Sequence, residues 1–83
     1  MTKKQNIDRF SDIIECNGID KNYHIEHNLN SKSIIVQLVD NETSNTFKEA
    51  HYNVRRDTEN TILITFNAPP ISRKKFLVLC LRV

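Results

Sequence analysis

The sequence predicts a small all-β protein, an antiparallel β-sandwich that is immunoglobulin-like or related, with a short N-terminal arm or helix. Three stretches have the length and apolar pattern of strands, namely residues 33–39, 61–66 and 76–83. Turn-forming sequences separate the candidate strands at spacings of roughly 8 to 14 residues, which is typical of sandwiches and small barrels. We therefore expect about six or seven strands.

Length, composition and charge limit the possible classes. The chain has 83 residues, of which 39% are hydrophobic and 27% are charged, so it is predicted to be one globular domain near the smallest size that buries a sufficient core. A net charge of +2 is too balanced to indicate nucleic-acid binding. No apolar run suggests a signal peptide or a membrane span, so we expect cytoplasmic synthesis, no membrane partner and free thiols at Cys16 and Cys80.

The first 20 residues are interpreted as an N-terminal arm, and residues 21–83 as the β-sandwich domain. Within the arm, residues 1–6 are polar and basic. Apolar residues then recur at helical spacing, which favours a short amphipathic helix over residues 7–15; they are Ile7, Phe10, Ile13 and Ile14. An extended arm that lays Ile13 and Ile14 on the sandwich is an equal alternative.

Two strands are predicted in the first half of the domain, after a turn at Asn17-Gly18. Residues 21–27 alternate, with Tyr23 and Ile25 on one face, as in a half-buried strand. Residues 33–39 carry apolar side chains on both faces, which predicts an interior or a sandwiched position, and the later strands are expected to be organised around this strand.

Three further strands are predicted after a turn at residues 40–46. Residues 52–55 alternate weakly, Thr61–Phe66 alternates cleanly, and residues 76–83 are apolar on both faces. The residues predicted to pack the core are Ile34, Val36, Leu38, Ile62, Ile64, Phe66, Leu77 and Leu79.

No constellation of residues indicates catalysis or metal binding. His24 and His27 are three apart, which in a strand places them on opposite faces, and His51 adds no ligand spacing. Cys80 lies in an apolar run and is expected to be buried and inert, whereas Cys16 lies beside a turn and is expected to be exposed. We expect no catalytic, cofactor-binding or metal-ligating residues, no cofactor and no enzymatic activity.

Basic residues cluster at three places, Lys3-Lys4, Arg55-Arg56 and Arg73-Lys74-Lys75. The predicted role is that of solvated turns that protect strand edges, so no nucleic-acid partner is expected, although a regulatory nucleic-acid binder using the last two clusters is an alternative. A carbohydrate- or receptor-binding module is another alternative, for which Tyr23 and Tyr52 are the plausible contact aromatics.

Two segments together resemble a known module. Residues 27–40, HNLNSKSIIVQLVD, and residues 57–70, DTENTILITFNAPP, resemble the two halves of a small β-sandwich module of tailed-bacteriophage virion proteins, which is met in tail, fibre and capsid-decoration components. An apolar strand at residues 76–83 completes the module, and the resemblance covers about residues 23–83. The module commonly has a glycine in its central turn, where this chain has Thr43-Ser44-Asn45, and another before the last strand, where it has Ser72-Arg73-Lys74.

The resemblance implies a non-enzymatic structural building block of a phage virion. The implied partners are copies of the same chain, as in a homo-oligomer, or other tail or capsid proteins. The implied location is the virion, after synthesis in the cytoplasm of the host bacterium. The module brings no catalytic residues to this chain.

Overall fold

Residues 8–83 form a sandwich of two antiparallel three-stranded sheets in a computed structural model. Sheet A has the strand order β1-β6-β3, and sheet B has the order β2-β5-β4. The strands are β1 Arg9–Glu15, β2 Asn22–Glu26, β3 Ile34–Asp40, β4 Tyr52–Arg56, β5 Thr61–Phe66 and β6 Lys75–Arg82, and a 3-10 turn at Glu49–His51 precedes β4. The predicted all-β sandwich is confirmed. Residues 1–7, with the predictions made for Lys3, Lys4 and Ile7, lie outside the described residues.

The core lies between the two sheets, because each strand turns alternate side chains inward. The central strands contribute the most deeply buried groups: Ile62, Ile64 and Phe66 from β5, and Phe76, Val78 and Cys80 from β6. The ring of Phe47, from the segment before the 3-10 turn, lies 4.7 Å from that of Phe76 and 6.0 Å from that of Phe66, measured between centroids. Aromatic packing therefore closes one end of the core.

The N-terminal stretch is extended, so the helical alternative is wrong for Arg9–Glu15. All seven residues of β1 pair with β6, which places the strand at the edge of sheet A. Two isolated helical turns are marginal in water, whereas an extended strand gains a ladder of hydrogen bonds and buries Ile14. Ile13, on the opposite side of the strand, is exposed. The division into an arm of residues 1–20 and a domain of residues 21–83 stays a prediction, but β1 itself lies within the sheet.

The position predicted for residues 33–39 is wrong, because β3 is an edge strand. The centre of sheet A is β6, which pairs with β1 on one side and β3 on the other. Two of the predicted packing residues also face the wrong way: Leu77 and Leu79 point to the outer face, and Val78 lies in the core between them. Periodicity could not separate the two faces of β6, since both are apolar. The core positions of Ile34, Leu38, Ile62, Ile64 and Phe66 are confirmed.

Candidate interaction surface

The outer face of sheet A carries an unusual density of aliphatic side chains. The strand register aligns them in rows: Leu81 lies beside Ile35, Leu79 lies between Ser11 and Gln37, and Leu77 lies between Ile13 and Val39. We call this set the apolar face; its members are Ile13, Ile35, Val39, Leu77, Leu79 and Leu81. Charged residues bound it, with Arg9 at one end of β1 and Glu15 at the other.

The apolar face is open to solvent. Exposed fractions are 51% for Ile13, 56% for Ile35 and 48% for Leu81. A shallow groove of about 540 Å³ follows the face and is lined by Ile35, Leu79 and Leu81 together with Arg9, Ser11 and Gln37. A contiguous exposed apolar patch on a small protein marks a contact site more often than a stray set of surface residues does.

The outer face of sheet B is polar. Leu63 lies at its centre, between His24 and Arg55, and the remaining positions carry amide, hydroxyl or carboxylate groups. We call this set the polar face; its members are Asn22, His24, Glu26, Asn53, Arg55, Thr61, Leu63 and Thr65. Asn22 and Thr65 hydrogen-bond across strands at 2.8 Å, and Arg55 forms an ion pair with Asp57. The polar face is therefore compatible with exposure to solvent.

The free edge of β3 is covered by its own chain. Even-numbered residues of β3 direct their backbone groups away from β6. The carbonyl of Ile34 accepts a hydrogen bond from the guanidinium of Arg56 at 2.9 Å, and the carbonyl of Leu38 accepts one from the Phe47 amide at 2.7 Å. The Asp40 amide donates to the Asn45 carbonyl at 2.8 Å. Addition of another strand at this edge is therefore blocked at three positions.

The free edge of β1 is guarded by a charge. The backbone groups of odd-numbered residues in β1 point away from β6, and one of them, the Ile13 amide, donates to the carboxylate of Asp12 at 2.8 Å. Asp12 lies on the inward side of the strand and is exposed at the sheet edge. A charged residue facing inward on an edge strand opposes edge-to-edge pairing. The apolar face is thus the surface of sheet A that remains available.

Both cysteines and one of the histidines, His27, are buried. No group of three or more potential metal ligands occurs among residues 8–83. Cys80 is buried as predicted, and burial raises its pKa to about 11. The exposure predicted for Cys16 is wrong. Its backbone extends the pairing of β1 by hydrogen bonds to Arg73 and Lys74, its side chain is buried, and burial raises its pKa as well. Both thiols are free.

His27 is buried at the end of β2, with 1% of its surface exposed. Its Nδ1 accepts a hydrogen bond from the Leu29 amide at 3.0 Å, and its Nε2 has no partner among the described residues. Removal from water lowers the pKa of the imidazole. His24, in contrast, is exposed on the polar face.

Three members of the two basic clusters that the structure describes are engaged in contacts, namely Arg55, Arg56 and Lys74. Arg55 pairs with Asp57, and Arg56 spans the two sheets to reach Ile34. Lys74 pairs with Asp40, and this cation together with the Glu42 and Thr43 amides holds the pKa of the Asp40 carboxyl below its usual range. These contacts fit the predicted role at strand edges and turns.

The two tyrosines do not form an exposed aromatic platform. Tyr52 is 6% exposed, and Tyr23 is half-buried with its ring edge against Phe66 at a centroid distance of 5.8 Å. Their predicted role as sugar-contacting aromatics is not supported by these positions. The sandwich uses both rings for packing.

The two segments that carry the family resemblance are hydrogen-bonded to each other. The Asn60 carbonyl accepts hydrogen bonds from the amides of His27 and Asn28, and its side-chain oxygen accepts one from the Asn30 amide at 2.8 Å. Asn28 and Asn30 have positive φ values of 55° and 59°, which asparagine tolerates well. The two motifs therefore form one structural clamp that joins the β2–β3 connection to the start of β5.

Comparisons with known proteins give no further guide. Searches against family models, curated proteins and solved structures found no significant match. Within residues 8–83, no helix is long and apolar enough to cross a membrane.

Proposed function

We propose that this chain is a non-enzymatic structural component of a tailed-bacteriophage virion, in the tail or as a capsid decoration, which packs against copies of itself or other virion proteins through the apolar face. The observation that supports it is that face, with three large aliphatic residues about half exposed on sheet A, whose two free edges are closed. A subunit of a larger assembly typically buries such an apolar surface in an interface with a neighbouring subunit.

The backbone supports the resemblance on which the phage assignment rests. The module commonly has glycine in the turn at residues 43–45 and again at residues 72–74. In this chain Ser44 and Arg73 adopt φ values of 61° and 69°, a region that favours glycine. Both turns therefore have, at one position, the positive φ value that favours glycine in the module, although this chain has serine and arginine there. The Asn60 clamp gives the two resembling segments a common structural role.

Mass spectrometry of purified particles tests the proposal. Virions of the phage that encodes the chain would be banded by density, treated with protease to remove adhering host protein, and digested. We expect peptides of this chain at a constant ratio to the major virion proteins across the particle band. Peptides that remain in the soluble lysate and do not follow the band would reject a virion role.

A further inference from the structure

We infer that the first partner of the apolar face is a second copy of this chain, stacked sheet A on sheet A about a twofold axis that crosses the strands at Leu79. This inference deepens the proposed function, since it names the occupant of the same surface.

Of the two outer sheet faces, the one that matches the apolar face is the same face on another copy. Stacking sheet A on the outer face of sheet B would place Leu77 or Leu81 against groups such as His24, Arg55 and Glu26, at the cost of removing those groups from water. Sheet A on sheet A buries aliphatic groups on both sides, together with Ser11 and Gln37, which lie beside Leu79. Such a self-complementary contact is what a twofold dimer requires.

The strand register shows how two apolar faces fit. If the axis lies between the sheets and perpendicular to the strands at Leu79, then Leu79 meets its own copy and Leu77 meets Leu81. On the neighbouring strand, Ile35 meets Val39. At all three outward leucine positions of β6, leucine therefore faces leucine of the other copy, at the roughly 10 Å separation of stacked sheets.

Charge selects this antiparallel arrangement. Arg9 and Glu15 lie at opposite ends of β1, too far apart to interact within one copy, since six residues of strand span about 20 Å. Neither has an ion pair within the described residues. The antiparallel stack brings Arg9 of each copy within about two residues, roughly 7 Å along the strand, of the other copy's Glu15. A parallel stack would instead place Lys75 over Lys75 of the other copy.

The size of the face predicts a weak dimer. Three strands of about seven residues present a face of roughly 14 by 23 Å, so the contact falls below the roughly 1,200 Å² that marks a stable interface. We therefore expect association in the micromolar to millimolar range, which the high local concentration within an assembly would saturate.

Sedimentation equilibrium between about 10 μM and 1 mM, a range set by that expected affinity, is the first test. Wild-type protein should show a monomer–dimer equilibrium. Leu79→Lys should remain monomeric, because a buried lysine would face its own copy at the axis. Leu63→Lys, the equivalent change at the centre of the polar face, should associate as the wild type does. A wild type that is monomeric at the highest concentration would overturn the inference.

Cross-linking locates the axis. Leu79→Cys should be joined to its copy by a short bis-maleimide cross-linker, whereas Leu63→Cys should not. A thiol-to-thiol linker is needed because a disulfide requires Cα atoms within about 7 Å, less than the roughly 10 Å between stacked sheets. The native thiols give little background, since Cys16 and Cys80 are both 2% exposed. Equal cross-linking of the two variants, or none at residue 79, would contradict a twofold axis there.

A charge swap tests the orientation. Arg9→Glu and Glu15→Arg should each weaken dimerisation by about 2- to 30-fold, the effect of losing two exposed ion pairs. The double variant Arg9→Glu/Glu15→Arg should restore it, because each new charge again faces its opposite across the interface. Failure of the double variant to recover would reject the antiparallel stack. The particle assay tests the location and these assays test the partner, so each can fail alone.

Discussion

Sheet A and sheet B each place two strands beside a central strand with a fully buried inner side, yet the outer sides of the two sheets carry opposite chemistry. At the centre of sheet A, Leu77, Leu79 and Leu81 alternate with Phe76, Val78 and Cys80. At the centre of sheet B, Thr61, Leu63 and Thr65 alternate with Ile62, Ile64 and Phe66. One central strand is apolar on both faces and the other on one.

This difference distinguishes the inward-facing residues, which stabilise the fold, from the outward-facing residues, which are available to contact a partner. The polar face of sheet B shows that this sandwich folds with a water-compatible outer side, since inward residues alone bury the shared core. The aliphatic groups of the apolar face are therefore more than folding requires. Four predictions test this separation, in order of expected effect.

The largest effect is expected in the core that both sheets share. Phe66 packs its ring 5.2 Å from that of Phe76 and 5.8 Å from that of Tyr23, so Phe66→Ala should lower the free energy of unfolding by about 3–5 kcal/mol. Leu63→Ala, three residues earlier and pointing outward, should cost much less. Chemical denaturation followed by circular dichroism measures both, and equal losses would contradict the assignment of inner and outer sides.

Strand β5 shows what the sequence could predict. Its alternation of isoleucine and threonine distinguishes two faces, so the sequence correctly predicts that Ile62, Ile64 and Phe66 point inward. In β6 every position from Phe76 to Leu81 is apolar, so periodicity does not show which side chains point inward, and the core prediction for Leu77 and Leu79 is wrong. The order of strands in sheet A was also beyond the sequence, because apolar residues on both sides fit either a central strand or an edge strand with an exposed apolar face.

The sequence predicts that a surface for contacts with neighbours exists, but it does not predict where on the fold that surface lies. Two-sided apolar strands indicated contacts with neighbours, but the position of the face depends on the register of β1 and β3 against β6. The sequence indicates even less about the contacts that close the β3 edge and form the clamp. Arg56 contacts Ile34 across 22 residues of sequence, and Asn60 contacts Asn30 across 30, and no local sequence pattern indicates either contact.

The second prediction concerns the pH dependence of stability that the buried His27, at the end of β2, should cause. The unfolded chain protonates His27 near pH 6.5, whereas burial lowers the folded pKa, so the unfolded state binds more protons below that value. The free energy of unfolding should be nearly constant between about pH 7.5 and 8 and fall as the pH drops below 6.5, by at most about 1.4 kcal/mol per pH unit.

Urea titrations between about pH 5 and 8, the range around the unfolded histidine pKa, measure this dependence. His27→Gln should flatten the profile between about pH 7 and the folded pKa, while His24→Gln on the polar face should leave it unchanged. A wild-type stability that does not decline below pH 6.5 would show that the imidazole is protonated as easily in the folded protein as in the unfolded chain.

The third prediction concerns the closed edge. Arg56→Ala removes the hydrogen bond to the Ile34 carbonyl, so the free energy of unfolding should fall by about 1–2 kcal/mol. Arg55→Ala, whose ion pair with Asp57 lies at the surface, should have a smaller effect. Hydrogen exchange at β3 adds a local readout, because loss of the Arg56 contact should speed exchange at the β3 edge more than at β5. Equal exchange at both strands would contradict a closing role for Arg56.

The smallest effect distinguishes the two outer faces directly. If sheet A binds a second copy weakly, the melting temperature of the wild type should rise slightly with protein concentration, because a partner that binds the folded state alone stabilises it by mass action. Leu79→Lys should remove the concentration dependence, while Leu63→Lys should retain it. In dilute solution both variants should lie within about 1 kcal/mol of the wild type, since both side chains point outward. A loss of stability confined to Leu79→Lys at low concentration would instead mean that the apolar face is needed to fold the monomer, and the separation between folding surface and contact surface would fail.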